Sequence, residues 1–376
     1  MERIPIGLIY STQGTYQHIG NNAYQGACYA ISEVNRNSKF KVNLSSVHCD
    51  PKGILDNYVS GVQSLLASGI EHVFGTITSS SRKEVLPDIQ DSRAFLWYSS
   101  PYEGYECDEQ VVYHGACPNQ NLYPLLAYIM PRTGKRACLI ASNYIWGWES
   151  NRIASDLINV ARGDILHERF FHLTHIDFSQ TVEAICSKKP DFIVNNLVGE
   201  SSYAFLEQLN RAWVGEKLSI LSCNLTECEL VNLPDFENLR LITAAPFFEA
   251  VNPTFVSQVK EQLGEVPVSS MFMGAYLSVL SFAHAYQHVR SSEPSLIRSA
   301  LVKLSYESPT NSILSLADNQ HAYLPCYIAE WNGNSFDILH EVEAIKPNPF
   351  LTAESVLDIE MTGTLSSKPT VLRLIS

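Results

Sequence analysis

A chain of 376 residues exceeds one comfortable domain and predicts two or three. Its composition, 45% hydrophobic and 17% charged, excludes a disordered chain. The formal net charge of −13 excludes direct binding to nucleic acid or to an anionic membrane surface, since both need clustered cation.

The start, MERIPIGLIYST, lacks the order of a secretory signal. The most apolar window, Met271 to Tyr286, is interrupted by Gly274, Ser278, Ser281 and His284, so it predicts a buried helix and not a membrane span. The nine cysteines are odd in number and scattered, several inside apolar runs (Cys28, Cys138, Cys186), which predicts reduced core thiols. A cytoplasmic location is the expectation. A periplasmic one follows instead if a signal preceded Met1.

In chain order, Ile4 to Tyr10 is a buried strand, followed by a polar loop. Ala23, Ala27, Ala30, Ile31 and Val34 then recur at helical spacing. KVNLSSVHCD is the next strand. Leu55 to Leu66 marks a helix with Gly69 where its C-terminal cap belongs. HVFG, a Ser-rich helix and AFLWYS complete a third strand–helix repeat, and such alternation predicts a parallel sheet with right-handed crossovers. Ser81-x-x-Glu84 fits a capping box, and Pro87 is expected to kink that helix. The stretch Gly75 to Gly104 thus sends two loops rich in hydroxyls and aromatics from one sheet edge, where open α/β sheets bind ligands. It reads as half of a cleft for a small, uncharged, polar molecule.

A second α/β run begins near Gly115, with strands at Ala137 to Ser142, ILHERFF, DFIVNNLVG and LSILSC separated by helices. From Thr254, three helical patterns without strands are expected to cover the first lobe. HAYLPCYIAEW and SFDILHEV then flank Asn332-Gly333, a two-residue hairpin signal.

Five segments, SRKEVLP (Ser81 to Pro87), SPYEGYE (Ser100 to Glu106), ACPNQN (Ala116 to Asn121), SNYIWGWESN (Ser142 to Asn151) and APFF (Ala245 to Phe248), carry a resemblance. In order and spacing the chain resembles the type I periplasmic-binding-protein superfamily. Within it, the chain is similar to the short-chain amide sensor that negatively regulates an aliphatic amidase operon, and to the urea and short-chain amide binding proteins of ABC transporters. The resemblance implies two doubly wound parallel-sheet lobes joined by three crossovers, with the ligand cleft between them. Residues 1–116 plus 248–324 would form lobe 1, and residues 117–247 plus 325–376 lobe 2.

The resemblance also implies a site. A neutral amide or urea needs donors for its carbonyl and acceptors for its N–H groups, and each one left unpaired after burial costs about 1–3 kcal/mol. Ser79, Tyr98, Ser100, Pro101 and Tyr144 match positions lining the amide or urea pocket, and Trp146 stands where the sensor has a tyrosine. Ile77 replaces an aromatic, and Gly147-Trp148 replaces a Pro-Arg pair. Glu200 stands where the sensor has a neutral hydroxyl residue and the urea binders an aspartate. It would favour a ligand with several N–H donors, or else serve as a solvated helix-start carboxylate.

No catalytic, metal or cofactor site is expected. Ser80-x-x-Lys83 lacks the companion motifs of serine β-lactamases, and the side chains of His172-x-x-His175 diverge. No P-loop, G-x-S-x-G or G-x-G-x-x-G occurs. Two functions remain. One is an amide-responsive sensor acting on an RNA-binding antiterminator partner; the alternative is a receptor delivering urea, short amides or amino acids to an ABC permease. Self-association is left open.

Overall fold

The computed structural model describes residues 2–351, so the last part of the expected lobe 2, 352–376, lies outside the described residues. Strands β1 (Glu2–Ile9), β2 (Val42–Cys49), β3 (His72–Gly75), β4 (Phe95–Tyr98) and β5 (Val111–Tyr113) form a wholly parallel sheet in the order β2-β1-β3-β4-β5. Helices α1 (Gln17–Arg36), α2 (Leu55–Ala67) and α3 (Ser79–Ser92) make its crossovers. Gly69 closes α2 as expected. Its φ is +78°, its N–H reaches Leu66 O, and the N–H of Ile70 reaches Leu65 O.

The next run holds α4 (Leu122–Thr133), β6 (Arg136–Ser142), α5 (Ile145–Val160), β7 (Asp164–Phe171), α6 (Ser179–Lys188), β8 (Phe192–Asn196), α7 (Glu200–Ala212), β9 (Leu218–Ser222) and β10 (Leu239–Ala245). The chain then returns to the first lobe with α8 (Pro253–Leu263), α9 (Ser270–Val289) and α10 (Pro294–Leu301). A short ribbon follows, β11 (Ser305–Glu307) with β12 (Ile313–Ser315). The hairpin β13 (Leu324–Trp331) and β14 (Phe336–Ile345) finally rejoins the second sheet. That sheet runs β14-β13-β10-β9-β8-β6-β7, parallel from β10 to β7 and antiparallel at β13 and β14. The polypeptide therefore passes between the sheets three times, after β5, after β10 and before β13.

Helix α9 contains the apolar stretch Met271 to Tyr286, buried at every position but the half-buried His284, and packs against α1. Its closest approach uses Gly26, where a Cβ would stand 2.1 Å from the carbonyl oxygen of Phe272. Two buried apolar clusters cover the two faces of the second sheet. The cluster of the first lobe also takes in Trp146, Val198 and Cys228 of the second, so the lobes are packed together.

Two local expectations change. Helix α3 begins at Ser79, three residues before the expected start: Thr78 is its N-cap, with its hydroxyl accepting from Ser81 N, and Ser81 returns a bond to Thr78 N. Any of the consecutive hydroxyl residues satisfies the capping rule, and the strand-end geometry at Thr78 selects one. The β13–β14 turn holds four residues, not two. Asn332 Oδ1 accepts from the N–H groups of Asn334 and Ser335, an Asx closure that outcompetes the tight Asn-Gly turn. Strands β5, β10, β11 and β12 are additions to the sequence reading. β5 is three residues long, too short to show alternation.

Candidate functional site

The carboxyl ends of β1, β3 and β4 face those of β6, β8 and β9, and a cavity of about 30 Å³ lies where they meet. A single buried water needs about 10–15 Å³ on this measure, so the lobes are closed around a space for only a few atoms. The first lobe supplies Ile19, Ile77, Thr78, Ser79, Ser100, Pro101 and Met271, and the second supplies Tyr144, Trp146, Val198 and Asn224. Five of the seven residues expected from sequence, Ser79, Ser100, Pro101, Tyr144 and Trp146, line this one space.

The other two stand elsewhere. Tyr98 is fully buried at the end of β4, with the Arg82 guanidinium 4.7 Å from its ring centre. Glu200 lies in the first turn of α7, exposed, and is not part of the cavity lining. The helix start points this carboxylate to solvent, while Val198, two residues earlier, meets the cavity.

Ile19, Val198, Asn224 and Met271 were not singled out from the sequence. Asn224 follows β9 at its carboxyl end, and that placement is the signal that could have found it. Met271 sits in the first turn of a helix legible only as core.

Among the described residues, no ionised side chain lines the cavity. Its polar atoms are hydroxyls, an amide and an indole N–H. Ser100 Oγ and Trp146 Nε1 are buried without a hydrogen-bond partner among the described residues. Burial pushes the Tyr98 phenol up to about 12 and the Tyr144 phenol well above its ordinary value, so both stay protonated.

Behind Ser79 lies a buried ionic cluster. Ser79 Oγ donates to Glu103, and Arg82 Nη2 donates to Glu103 Oε1 at 3.0 Å. Arg82 also reaches Glu106 through Nε at 2.6 Å and Nη2 at 3.2 Å, and Lys83 Nζ lies 2.9 Å from Glu106. The segments SRKEVLP and SPYEGYE are thus partners, and their charges fix the loop after β4 beneath the N-terminus of α3. On α5, a Cβ at Gly147 would stand 2.0 Å from Ser142 O, so glycine lets the first helical turn seat Trp146 in the cleft.

Two α/β lobes joined by three chain passages meet around a small interlobe cavity. Residues 4–356 match the family described as periplasmic binding protein domain, and the chain belongs to that family. Solved structures agree on the fold. A solute-binding protein of an ABC transporter from Rhodopseudomonas palustris BisB5, in complex with 3,4-dihydroxybenzoic acid, is 16% identical. It superposes with a TM-score of 0.79 over 92% of this chain and 98% of that one. An amino acid ABC transporter substrate-binding protein from Pseudomonas fluorescens Pf-5 is 16% identical, with a TM-score of 0.76 over 97% and 99% of the two chains. A branched-chain amino acid ABC transporter ligand-binding protein from Burkholderia xenovorans LB400 is 13% identical, with a TM-score of 0.76 over 91% and 96%.

Proposed function

We infer that the protein is the solute receptor of an ABC-type importer and that its ligand is a small neutral amide or urea, held between residues 1–116 plus 248–324 on one side and the second lobe on the other. One observation carries the ligand class: among the described residues no ionised side chain lines the cavity, yet two of its lining residues, Ser100 and Trp146, carry buried polar atoms, Oγ and Nε1, with no hydrogen-bond partner there. An indole N–H can only donate, and a ligand carbonyl would satisfy it. Ile77, Pro101 and Met271 offer an apolar wall for a short alkyl group.

The transport reading is favoured over the amide sensor with an RNA-binding partner, because the family is described as a periplasmic binding protein domain and the similar solved structures as binding proteins of ABC transporters. A permease is then the macromolecular partner, and the working location is periplasmic.

A thermal-shift panel of urea, formamide, acetamide, propionamide, leucine and benzoate tests this. A ligand at a hundred times its Kd adds about 2.7 kcal/mol of stability. A rise in Tm with amides or urea supports the ligand class. A rise only with leucine or benzoate removes it and leaves the receptor fold.

A further inference from the structure

We propose that Glu103 is a positioning residue that sets the hydrogen-bond polarity of the cleft: by holding the Ser79 hydroxyl proton, it makes Ser79 an acceptor toward the ligand and turns anionic ligands away. This deepens, and rests on, the reading of the interlobe cavity as a site for a neutral ligand.

A serine hydroxyl has one O–H, and here it is donated to Glu103, a carboxylate only 1% exposed. Arg82 and Lys83 both face Glu103, at 3.0 and 3.7 Å, and hold its carboxyl group in place. Ser79 also lines the cavity, and with its proton on Glu103 and one lone pair toward Arg82 Nη1 at 3.5 Å, the hydroxyl has a remaining lone pair and no proton to offer a ligand. A ligand N–H satisfies that lone pair. A ligand carboxylate oxygen meets it as acceptor against acceptor, with a second carboxylate behind.

The lining supplies no compensating cation, because the Arg82 guanidinium is fully buried and spends its N–H groups on Glu103, Glu106 and, at 3.5 Å, Ser79 itself. Across the cleft, the Trp146 indole N–H is a donor with no acceptor among the described residues. Acceptor on one jaw and donor on the other is the pattern of an amide or urea, whose N–H and C=O lie side by side. The same arrangement discriminates against an isosteric carboxylate, which has acceptors only. Glu103 therefore selects for charge without touching the ligand.

Calorimetric titration of the wild type and of Glu103→Gln with propionamide and propionate, a neutral and anionic pair of one shape, tests this. The wild type is expected to prefer propionamide by about a hundredfold or more, and Glu103→Gln to shrink that preference at least about tenfold, since a neutral side chain no longer fixes the serine proton. Loss of packing alone would weaken both probes equally. In a Ser79→Ala background the Glu103→Gln change should leave the preference where it was, because the intermediary is gone.

An unchanged preference in Glu103→Gln, or the same change with Ser79 absent, overturns the proposal while leaving the amide reading in place. A wild type that binds propionate better, or neither probe, overturns both. Should Glu103→Gln fail to fold, Ser79→Ala alone decides: it must lose more affinity for propionamide than for propionate, and an equal loss is contrary to the proposal.

Discussion

Arg82 and Glu106 form a two-pronged pair inside the first lobe, with Nε 2.6 Å from Oε1 and Nη2 3.2 Å from Oε2, and no part of the arginine reaches solvent. The pair ties the first turn of α3 to the loop after β4, the two segments that carry Ser79 and Ser100. Removing one member of a buried pair leaves the others uncompensated, at a cost of about 3–5 kcal/mol. Arg82→Ala should therefore lower unfolding stability by that amount in urea melts. A loss below about 1 kcal/mol would show that the cluster does not hold the loop.

The same cluster sets an acid limb of stability. Burial alone would raise the Glu106 carboxyl, but the Arg82 charge and hydrogen bond, with help from Lys83, hold it down at about 2, below its ordinary value of 4.5. A carboxyl depressed in the fold contributes stability that is present above pH 4.5 and lost as pH falls toward 2. Stability measured across that window should fall in the wild type and fall less steeply in Glu106→Gln.

Glu229 works in the opposite sense. Burial pushes it up to about 7, against the Tyr203 hydroxyl that donates to its Oε1. Because the folded state binds this proton more tightly than the unfolded chain, stability declines as pH rises from 4.5 to 7. Glu227, which burial pushes up to about 8, adds a decline over the same window, so Glu229→Gln should make the decline shallower without abolishing it and leave a protein more stable than the wild type at pH 8. A steeper decline in the variant would contradict the assignment.

Capping and binding separate at neighbouring hydroxyls. Thr78 is the N-cap of α3, so Thr78→Ala should cost about 1 kcal/mol of stability. Trp146→Phe keeps a ring in the cleft and loses the unpartnered N–H. It should leave the unliganded Tm unchanged or raise it, while weakening amide binding about tenfold in titration calorimetry. Equal effects on Tm and affinity would assign Trp146 to packing alone.

Glu200 is an exposed helix-start carboxylate, and Glu200→Gln should change neither stability by more than about 0.5 kcal/mol nor amide affinity. A large change in affinity would bring it into the site.

Much of this was legible in sequence, for reasons that differ from residue to residue. Ser79, Ser100 and Trp146 follow strand ends, Ser100 in a loop and the other two in the first turns of α3 and α5, and side-chain chemistry at a sheet edge can be read without packing. Tyr98 is one residue short of that edge, so it faces the buried Arg82 rather than the cavity. Local pattern does not resolve a one-residue difference in a strand, since successive side chains take opposite faces. The partnership of SRKEVLP with SPYEGYE was out of reach for another reason: the motifs were visible, but pairing between charges some twenty residues apart is a tertiary fact. Ile19 and Met271 reach the cavity from helices whose pattern spells only core.

The most direct measurement is a crystal structure of the protein with the amide or urea that raises its Tm most. The account predicts ligand density in the interlobe cavity, with a ligand N–H on Ser79 Oγ and the carbonyl within hydrogen-bonding distance of Trp146 Nε1. Density outside the space between Ser79, Ser100, Tyr144 and Trp146, or a carbonyl turned onto Ser79 with no contact to Trp146, would contradict it.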